Sequence, residues 1–416
     1  MEKFIINGGN KLYGEIDVQG AKNTILPLFA AALLTEEMVE ISNVPSLVDV
    51  DNMIKILENL GAKVERNADV AIINAKHLTS FDIPNELAKE LRSSVFLLGS
   101  VLSRQKYAKV AYPGGCDIGL RPIDIHIKGL RDLNVRIEES AGYIYCDATD
   151  MQNGEVNLDY PSVGATENII LATVLTEGCT VIHNAACEPE IVDLQRFLNK
   201  MGAKISGAGS STIIINGVER LKGTRFRAMP DRIVAGTYAI ATAMTGGDVL
   251  LKGARSVDMR PLLSKLAKTS CIITHNSDNI HIRATRRPVS ITAITTQPHP
   301  GFPTDLQAPI MALQTVSEGI CVLTENIFEN RFRHVGELRK MGADIIINGR
   351  TAVIRGVDKL SGAEVYAQDL RGGAALVLAG LSADGVTVVN DVHHIDRGYE
   401  SMEKALRKLG ADIRRE

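Results

Sequence analysis

The sequence predicts an α/β protein built from six repeated units of about 70 residues, three to a lobe. Three observations carry this. A phrase recurs along the chain, ending in Leu60-Gly61-Ala62-Lys63-Val64, Met201-Gly202-Ala203-Lys204-Ile205, Met341-Gly342-Ala343-Asp344-Ile345 and Leu409-Gly410-Ala411-Asp412-Ile413. Two further endings stand where the period requires them in degraded form, at Leu130-Arg131-Asp132-Leu133-Asn134-Val135 and Leu266-Ala267-Lys268-Thr269-Ser270-Cys271. Each unit also pairs a helix that is apolar nearly all round with a second, striped helix, and short β-branched strands separate the two.

The apolar helices are expected at Leu26–Leu34, Ser94–Leu102, Ile169–Leu175, Ile233–Met244, Ile310–Val316 and Ala374–Leu381. A helix without a polar face is buried on all sides, so these should form the interior of each lobe, with sheets around them. The second helices, such as Val192–Met201 and Tyr399–Leu409, carry the 3.6-residue stripe of a surface helix. The Gly of Leu-Gly-Ala should cap each one in a left-handed conformation.

At the starts of the buried helices stand Ala21-Lys22-Asn23, Glu90-Leu91-Arg92, Ser162-Val163-Gly164, Asp231-Arg232, Thr304-Asp305 and Asp369-Leu370-Arg371. A helix N-terminus already favours anions through its unpaired N–H groups and partial positive charge. Lys or Arg there works against the dipole, yet Lys22, Arg92, Arg232 and Arg371 occupy such positions in four of the six units. One case would be an incidental solvated charge. Four at equivalent positions point to an anion site where the helices meet.

Composition limits the partners. The 416 residues are 45% apolar and 23% charged, which describes a core-forming chain. At roughly 150 residues per domain, two or three domains fit. A net charge of −3 argues against a dedicated nucleic-acid binder, as does an aromatic content of 4%, because single-stranded sites stack bases on aromatic rings. The longest apolar stretch, Ile25–Leu34, is interrupted by Pro27 and is too short to span a bilayer. The start, Met1-Glu2-Lys3-Phe4-Ile5-Ile6-Asn7, does not read as a signal peptide, so a cytoplasmic protein is expected. Cys116, Cys146, Cys179, Cys187, Cys271 and Cys321 form no Cys-x-x-Cys pair, and no His stands at metal spacing. Free thiols and no metal are expected. There is no phosphate-binding loop, dinucleotide fingerprint or kinase signature, and no cofactor is expected.

Individual residues stand out against this background. Cys116 lies in Tyr112-Pro113-Gly114-Gly115-Cys116-Asp117-Ile118-Gly119-Leu120-Arg121-Pro122, whose Pro and Gly predict a mobile loop. Cys179 and Cys321 sit inside β-branched strands and read as buried hydrophobes. Cys116 lacks such a setting, and nearby Arg121 favours its thiolate while Asp117 favours the acid, so it reads as reactive, as nucleophile or proton donor. Asp305 follows Pro300-Gly301-Phe302-Pro303-Thr304, a turn that delivers a carboxylate to a helix start. A helix cap or first-turn acid worth about 1 kcal/mol is the reading the sequence alone favours; a base in a cationic cleft is the other. Arg331 and Arg397 stand at the beginnings of second helices, where each by itself would be a surface ion-pair residue.

Taken together, Lys22-Asn23, the Pro-Gly-Gly-Cys loop, Arg121-Pro122-Ile123-Asp124, Gly301-Phe302-Pro303-Thr304-Asp305, Glu329-Asn330-Arg331-Phe332 and Asp396-Arg397-Gly398-Tyr399 resemble the enolpyruvyl transferases, and among them those acting on UDP-N-acetylglucosamine (UDP-GlcNAc). The resemblance runs from Ile6 to the end of the sequence. It implies a two-lobed inside-out α/β barrel, with residues 22–229 as one lobe, 1–21 and 230–416 as the other, and 111–122 as a catalytic lid. It implies transfer of the enolpyruvyl group of phosphoenolpyruvate to the 3′-hydroxyl of UDP-GlcNAc with release of phosphate, the first committed step of peptidoglycan synthesis. Lys22, Asn23, Arg121, Arg371 and Arg397 match the phosphoenolpyruvate contacts. Arg92, Arg121, Pro122, Ile123, Asp124, Ile125, Ser162, Val163, Gly164, Asp305 and Ile327 match the sugar-nucleotide contacts. Asp305 matches the proposed base, and Cys116 the thiol that adds to phosphoenolpyruvate, donates the proton and is the target of fosfomycin. Arg232, Arg331 and Asp369 complete the cleft. Asp117 and Leu120 depart from the small residues expected in the lid, and Tyr160 replaces a basic residue of some relatives. Two rivals remain: the sibling transferase acting on shikimate 3-phosphate, and a silent paralogue that binds UDP-GlcNAc without turnover.

Overall fold

The computed structural model describes residues 2–83, 85–90, 92–112 and 123–416. They fall into two compact units, a C-terminal one of residues 2–19 and 230–416 and an N-terminal one made from residues 20–229. Six four-stranded sheets follow one plan, an edge strand paired parallel to its neighbour and two further strands added antiparallel. Strand Cys179–His183, for example, pairs parallel with Glu155–Asn157 and antiparallel with Thr212–Asn216.

The plan is completed by strands far away in sequence. Lys3–Asn7 is inserted between Val386–Asn390 and Asp412–Arg415, and Tyr13–Asp17 lies parallel to Asp248–Lys252. Thr224–Arg227 returns to lie parallel to Val39–Ser42, so the N-terminal unit is closed by its own last strand. Every sheet therefore has the same four members although the chain enters and leaves them at different points.

Inside each unit, three apolar helices pack on one another, as their lack of a polar face predicts. They are Lys22–Ala32, Leu97–Gln105 and Val163–Thr173 in one unit, and Arg232–Thr245, Gln307–Val316 and Leu370–Ser382 in the other. Most begin a few residues before the predicted spans, because their first turns are polar or glycine-containing and carry no apolar signal. Leu97–Gln105 instead begins after the 3-10 turn Arg92–Phe96. Of the surface helices, Pro189–Lys200 starts earlier than predicted, whereas Met402–Lys408 is shorter because Ser401 holds a left-handed conformation ahead of it.

The repeated endings are helix stops of one design. Gly61, Gly202, Gly342 and Gly410 have φ of 103°, 106°, 91° and 97°. The amide after each donates back to a carbonyl in the helix, as in Ala62 N to Leu57 O at 3.0 Å. In the degraded units Asn134 (φ 64°) and Ser270 (φ 76°) take the same conformation, so the stop persists where the glycine does not.

One buried acid stands out in the N-terminal unit. Glu167, in helix Val163–Thr173, is fully buried and neither carboxylate oxygen has a hydrogen-bond partner. Burial first, then the charges of Glu190 and Glu188, push its pKa well above the usual carboxylate range. A raised folded-state pKa stabilises the protein below the unfolded value, and that contribution is lost as pH rises. Glu167→Gln should therefore gain on the order of 1–3 kcal/mol at pH 7.5, shrinking toward zero near pH 4.5. Chemical denaturation at the two pH values checks this; an equal effect at both would refute it.

Candidate functional site

In the C-terminal unit the cationic helix starts are tolerated because acids cap the same turns. Asp231 accepts from the amides of Ile233 and Val234 at 2.9 and 3.0 Å. Asp369 accepts from those of Arg371 and Gly372, both at 2.9 Å. Asp369 is thus a helix cap. Arg232, at the start of its helix, lines a small hollow with Met259, Pro303 and Leu306.

Asp305 is a first-turn acid and not a cap. It lies in the 3-10 turn Thr304–Leu306, whose preceding residue is Pro303, and its carboxylate faces two guanidiniums. Arg331 Nη2 is 2.5 Å from Oδ1, and Arg371 Nη2 is 3.5 Å from Oδ2. The two arginine side chains are 3% and 4% exposed against 27% for Asp305, so the acid is the part of the cluster that reaches solvent. Arg331 precedes the helix Val335–Lys340, and its burial overturns its reading as a surface ion-pair residue. Arg331 Nε and Arg371 Nε and Nη1 are buried, and the Arg371 guanidinium also hydrogen-bonds Tyr399.

Glu325 and His334, which the sequence did not single out, arrange this cluster together with Tyr399 and Thr237. Glu325, 1% exposed, accepts from Thr304 Oγ1 at 2.9 Å and from the amides of Ile327 and Phe328 at 2.8 and 3.1 Å. It ties the backbone at Ile327 to the turn carrying Asp305. Tyr399 packs under the Arg371 guanidinium, its ring centroid 5.5 Å away. Thr237 spends its own hydroxyl proton on Ile233 O at 2.9 Å, so Tyr399 must donate to Thr237 Oγ1 at 2.8 Å and present its lone pairs to Arg371. Burial works to lower the Arg371 pKa, but Tyr399, Asp305 and Asp231 outweigh it and hold the pKa above its ordinary value. His334 is buried beside Asp369 and Arg331; burial chiefly, with Arg331 assisting against Asp369, lowers its pKa to about 4. It is a neutral imidazole at physiological pH. Only a signal from three-dimensional neighbours could have found Glu325 and His334, whereas Tyr399 stands in the Asp396-Arg397-Gly398-Tyr399 motif.

Arg397 ends the 3-10 turn Val392–Arg397, ahead of any second helix. The following Gly398 lets the chain press against Leu370 at the start of the Arg371 helix, where an added Cβ would lie 2.8 Å from Leu370 Cδ2.

In the N-terminal unit Lys22 is the first residue of its helix, and its Nζ lies 3.1 Å from Asp49 Oδ2 of the surface helix Val48–Asn59. Their side chains are 12% and 5% exposed, and Asn23 beside them is exposed. Ser162 caps the helix beginning at Val163, its Oγ accepting from Ala165 N at 3.3 Å, with no acid in the first turn to neutralise it. Gly164 is packed so tightly that an added Cβ would lie 3.0 Å from both His126 Cε1 and Phe96 Cε1. Asn168 Oδ1 accepts from Gly99 N at 2.5 Å, so Asn168 Nδ2 donates to His126 Nδ1 at 3.2 Å. A neutral His126 then carries its proton on Nε2, the atom facing Gly164. Ile123 precedes the helix Asp124–Asp132, whose first residues are Asp124 and Ile125.

Arg92 opens the 3-10 turn Arg92–Phe96. Cys116, Arg121 and Pro122 lie outside the described residues, as does most of 111–122. Tyr160 is exposed. Of the other thiols, Cys179 is exposed at the first position of its strand, contrary to its reading as a buried hydrophobe; Cys321 is buried as expected. Burial pushes the Cys146 and Cys321 thiols up to about 12. No helix of the described residues is long and apolar enough to cross a membrane. Among them no three His, Cys, Asp or Glu side chains are placed to hold a metal ion.

Comparison with known proteins places this geometry among relatives. The family model described as EPSP synthase (3-phosphoshikimate 1-carboxyvinyltransferase) matches residues 6–406. The chain is 54% identical over 413 residues to UDP-N-acetylglucosamine 1-carboxyvinyltransferase 2 of Caldanaerobacter subterraneus subsp. tengcongensis, covering 99% of both. It is 47% identical over 415 residues to UDP-N-acetylglucosamine 1-carboxyvinyltransferase of Geobacter metallireducens, covering 100% of this chain and 99% of the relative. Among solved structures, the enolpyruvyl transferase NikO from Streptomyces tendae superposes with a TM-score of 0.91 at 23% identity, covering 100% of this chain and 98% of that one. EPSP synthase from Acinetobacter baumannii does so with 0.78 at 19% identity, covering 100% of both chains. These likenesses in structure establish the enolpyruvyl transferase fold.

Proposed function

The chain belongs to the EPSP synthase family of carboxyvinyltransferases, and from that premise we propose that it transfers the enolpyruvyl group of phosphoenolpyruvate to the 3′-hydroxyl of UDP-GlcNAc, releasing phosphate. The observation that carries the reading is 54% identity across the full chain to a relative named for that reaction. The Asp305–Arg331–Arg371 cluster supports it, since it sets fixed guanidiniums suited to an anion beside a carboxylate that reaches solvent. In this reading the reaction serves peptidoglycan synthesis in the cytoplasm. The functional lobes are residues 22–229 and residues 1–21 with 230–416, and 111–122 is the catalytic lid.

The chemistry divides among the chain's residues. Lys22, Arg121, Arg371 and Arg397 hold the phosphate and carboxylate of phosphoenolpyruvate, with Asn23 beside them. The sugar nucleotide lies against Arg92, Arg121–Ile125, Ser162–Gly164 and Ile327, its phosphates drawn to the helix start at Val163. Arg232, Arg331 and Asp369 shape the cleft. The Cys116 thiol donates a proton to carbon 3, leaving an oxocarbenium-like carbon 2. Asp305 takes the proton from the sugar hydroxyl as its oxygen bonds to that carbon. Loss of a proton from carbon 3 and of phosphate from carbon 2 restores the double bond. Fixed cations stabilise the departing phosphate more effectively than water, since they need no reorganisation.

Phosphate release from phosphoenolpyruvate tests the reading directly. It should require UDP-GlcNAc and ignore shikimate 3-phosphate, the acceptor in the family model's name. Release with shikimate 3-phosphate, or calorimetric binding of UDP-GlcNAc without any release, would overturn it. Thiol labelling gives a second check. Iodoacetamide should modify Cys116 and the exposed Cys179 in the native protein, and Cys146 and Cys321 only after unfolding. In a Cys179→Ala background, inactivation by fosfomycin should track label at Cys116; inactivation without that label would count against its assigned role.

A further inference from the structure

We propose that Arg415 is a positioning residue for Arg397, acting through the carboxylate of Asp396. The inference rests on the reading of Arg397 as a phosphoenolpyruvate contact. Arg415 lies on strand Asp412–Arg415 and grips Asp396 as a fork, Nη2 at 2.5 Å from Oδ1 and Nη1 at 2.9 Å from Oδ2. The fork is itself held from three sides. Nη1 also reaches Glu2 Oε2 at 2.6 Å, Nη2 lies 3.5 Å from Glu403 Oε2, and the guanidinium stacks 4.9 Å from the ring of the fully buried Phe4.

What this machinery serves is decided by its neighbour. Asp396 precedes Arg397 in the 3-10 turn Val392–Arg397, and a turn this short has little stability of its own. Val392 and Ile395 seat the turn in the core, and the orientation of its Arg397 end comes from the anchors on either side of that residue. Beyond Arg397, Gln19 brackets the chain, donating to Gly398 O at 3.3 Å and accepting from Glu400 N at 2.8 Å, and Tyr399 bonds Thr237. Before Arg397, the anchor is the Asp396–Arg415 fork. A cation at 415 that could not fork would keep the charge pair and lose the orientation, because a bidentate guanidinium fixes a carboxylate plane and an ammonium does not. Misplacing a substrate-holding group by about 1 Å can cost about a hundredfold in rate.

Arg415→Lys and Asp396→Asn test this, both near in volume to the native residues, with circular dichroism and melting temperature to confirm folding. Each should raise KM for phosphoenolpyruvate by roughly tenfold while KM for UDP-GlcNAc stays within about twofold. The double variant should be no worse than the worse single, as expected for two parts of one interaction. A role confined to stability would lower the melting temperature and leave the two KM values in their native ratio, which would overturn the inference. Arg397→Lys, measured alongside, separates the two claims. If it leaves KM for phosphoenolpyruvate unchanged, the reading of Arg397 fails and the inference with it. If it raises that KM while Arg415→Lys and Asp396→Asn do not, the positioning role alone is refuted.

Discussion

Asp305→Asn is expected to lower kcat by about three orders of magnitude and to leave the protein folded, the loss typical of removing a general base. Asparagine keeps the shape and one acceptor oxygen for Arg331, so the turn Thr304–Leu306 retains its contacts. What it lacks is the capacity to take a proton from the sugar hydroxyl. Asp305→Ala should behave differently. Both substitutions remove the counter-charge facing Arg331 and Arg371, but alanine also removes the acceptor oxygen, and a buried charged donor left without its acceptor costs about 1–3 kcal/mol or more. That variant should melt earlier as well as lose activity. Phosphate-release kinetics beside thermal melts distinguish the two outcomes. An Asp305→Asn enzyme with more than a tenth of native kcat would remove Asp305 from the role of base.

The same residue marks the boundary of what the sequence makes legible. Periodicity and the Leu-Gly-Ala endings are local signals, and they led to six repeats with one buried helix each, three to a lobe. The left-handed stop even survives as Asn134 and Ser270 where the glycine is gone. The positions of Lys22, Arg232 and Arg371 at helix starts were equally legible, being one residue or two from a boundary. Asp305 was ambiguous because its partners, Arg331 and Arg371, are distant in sequence, and only tertiary packing brings them together. Glu325, His334 and His126 were invisible for the same reason. Cys179 was misread because a strand's first residue can face solvent however β-branched its neighbours are. Charge placement, unlike the net charge of −3, was informative because repeats made it comparable from one unit to the next.

Lys22→Met should lower kcat/KM for phosphoenolpyruvate by about a thousandfold, since an ammonium aimed at a phosphate or carboxylate acts in the transition state and water cannot replace it. The structure adds a complication that must be separated from this effect. Lys22 is also paired with Asp49 at 3.1 Å, and Asp49 is 5% exposed, so removing the lysine leaves a buried carboxylate without this counter-ion. Part of any loss could then be a distorted helix start. The double variant Lys22→Met with Asp49→Asn resolves the two contributions. Neutralising Asp49 should recover most of the stability lost in the single variant, because the penalty belongs to the stranded charge. It should recover none of the activity, because the ammonium is still missing. Recovery of kcat/KM in the double variant would show instead that Lys22 serves only to neutralise Asp49. In that case the phosphoenolpyruvate site would have to be built from the arginines alone.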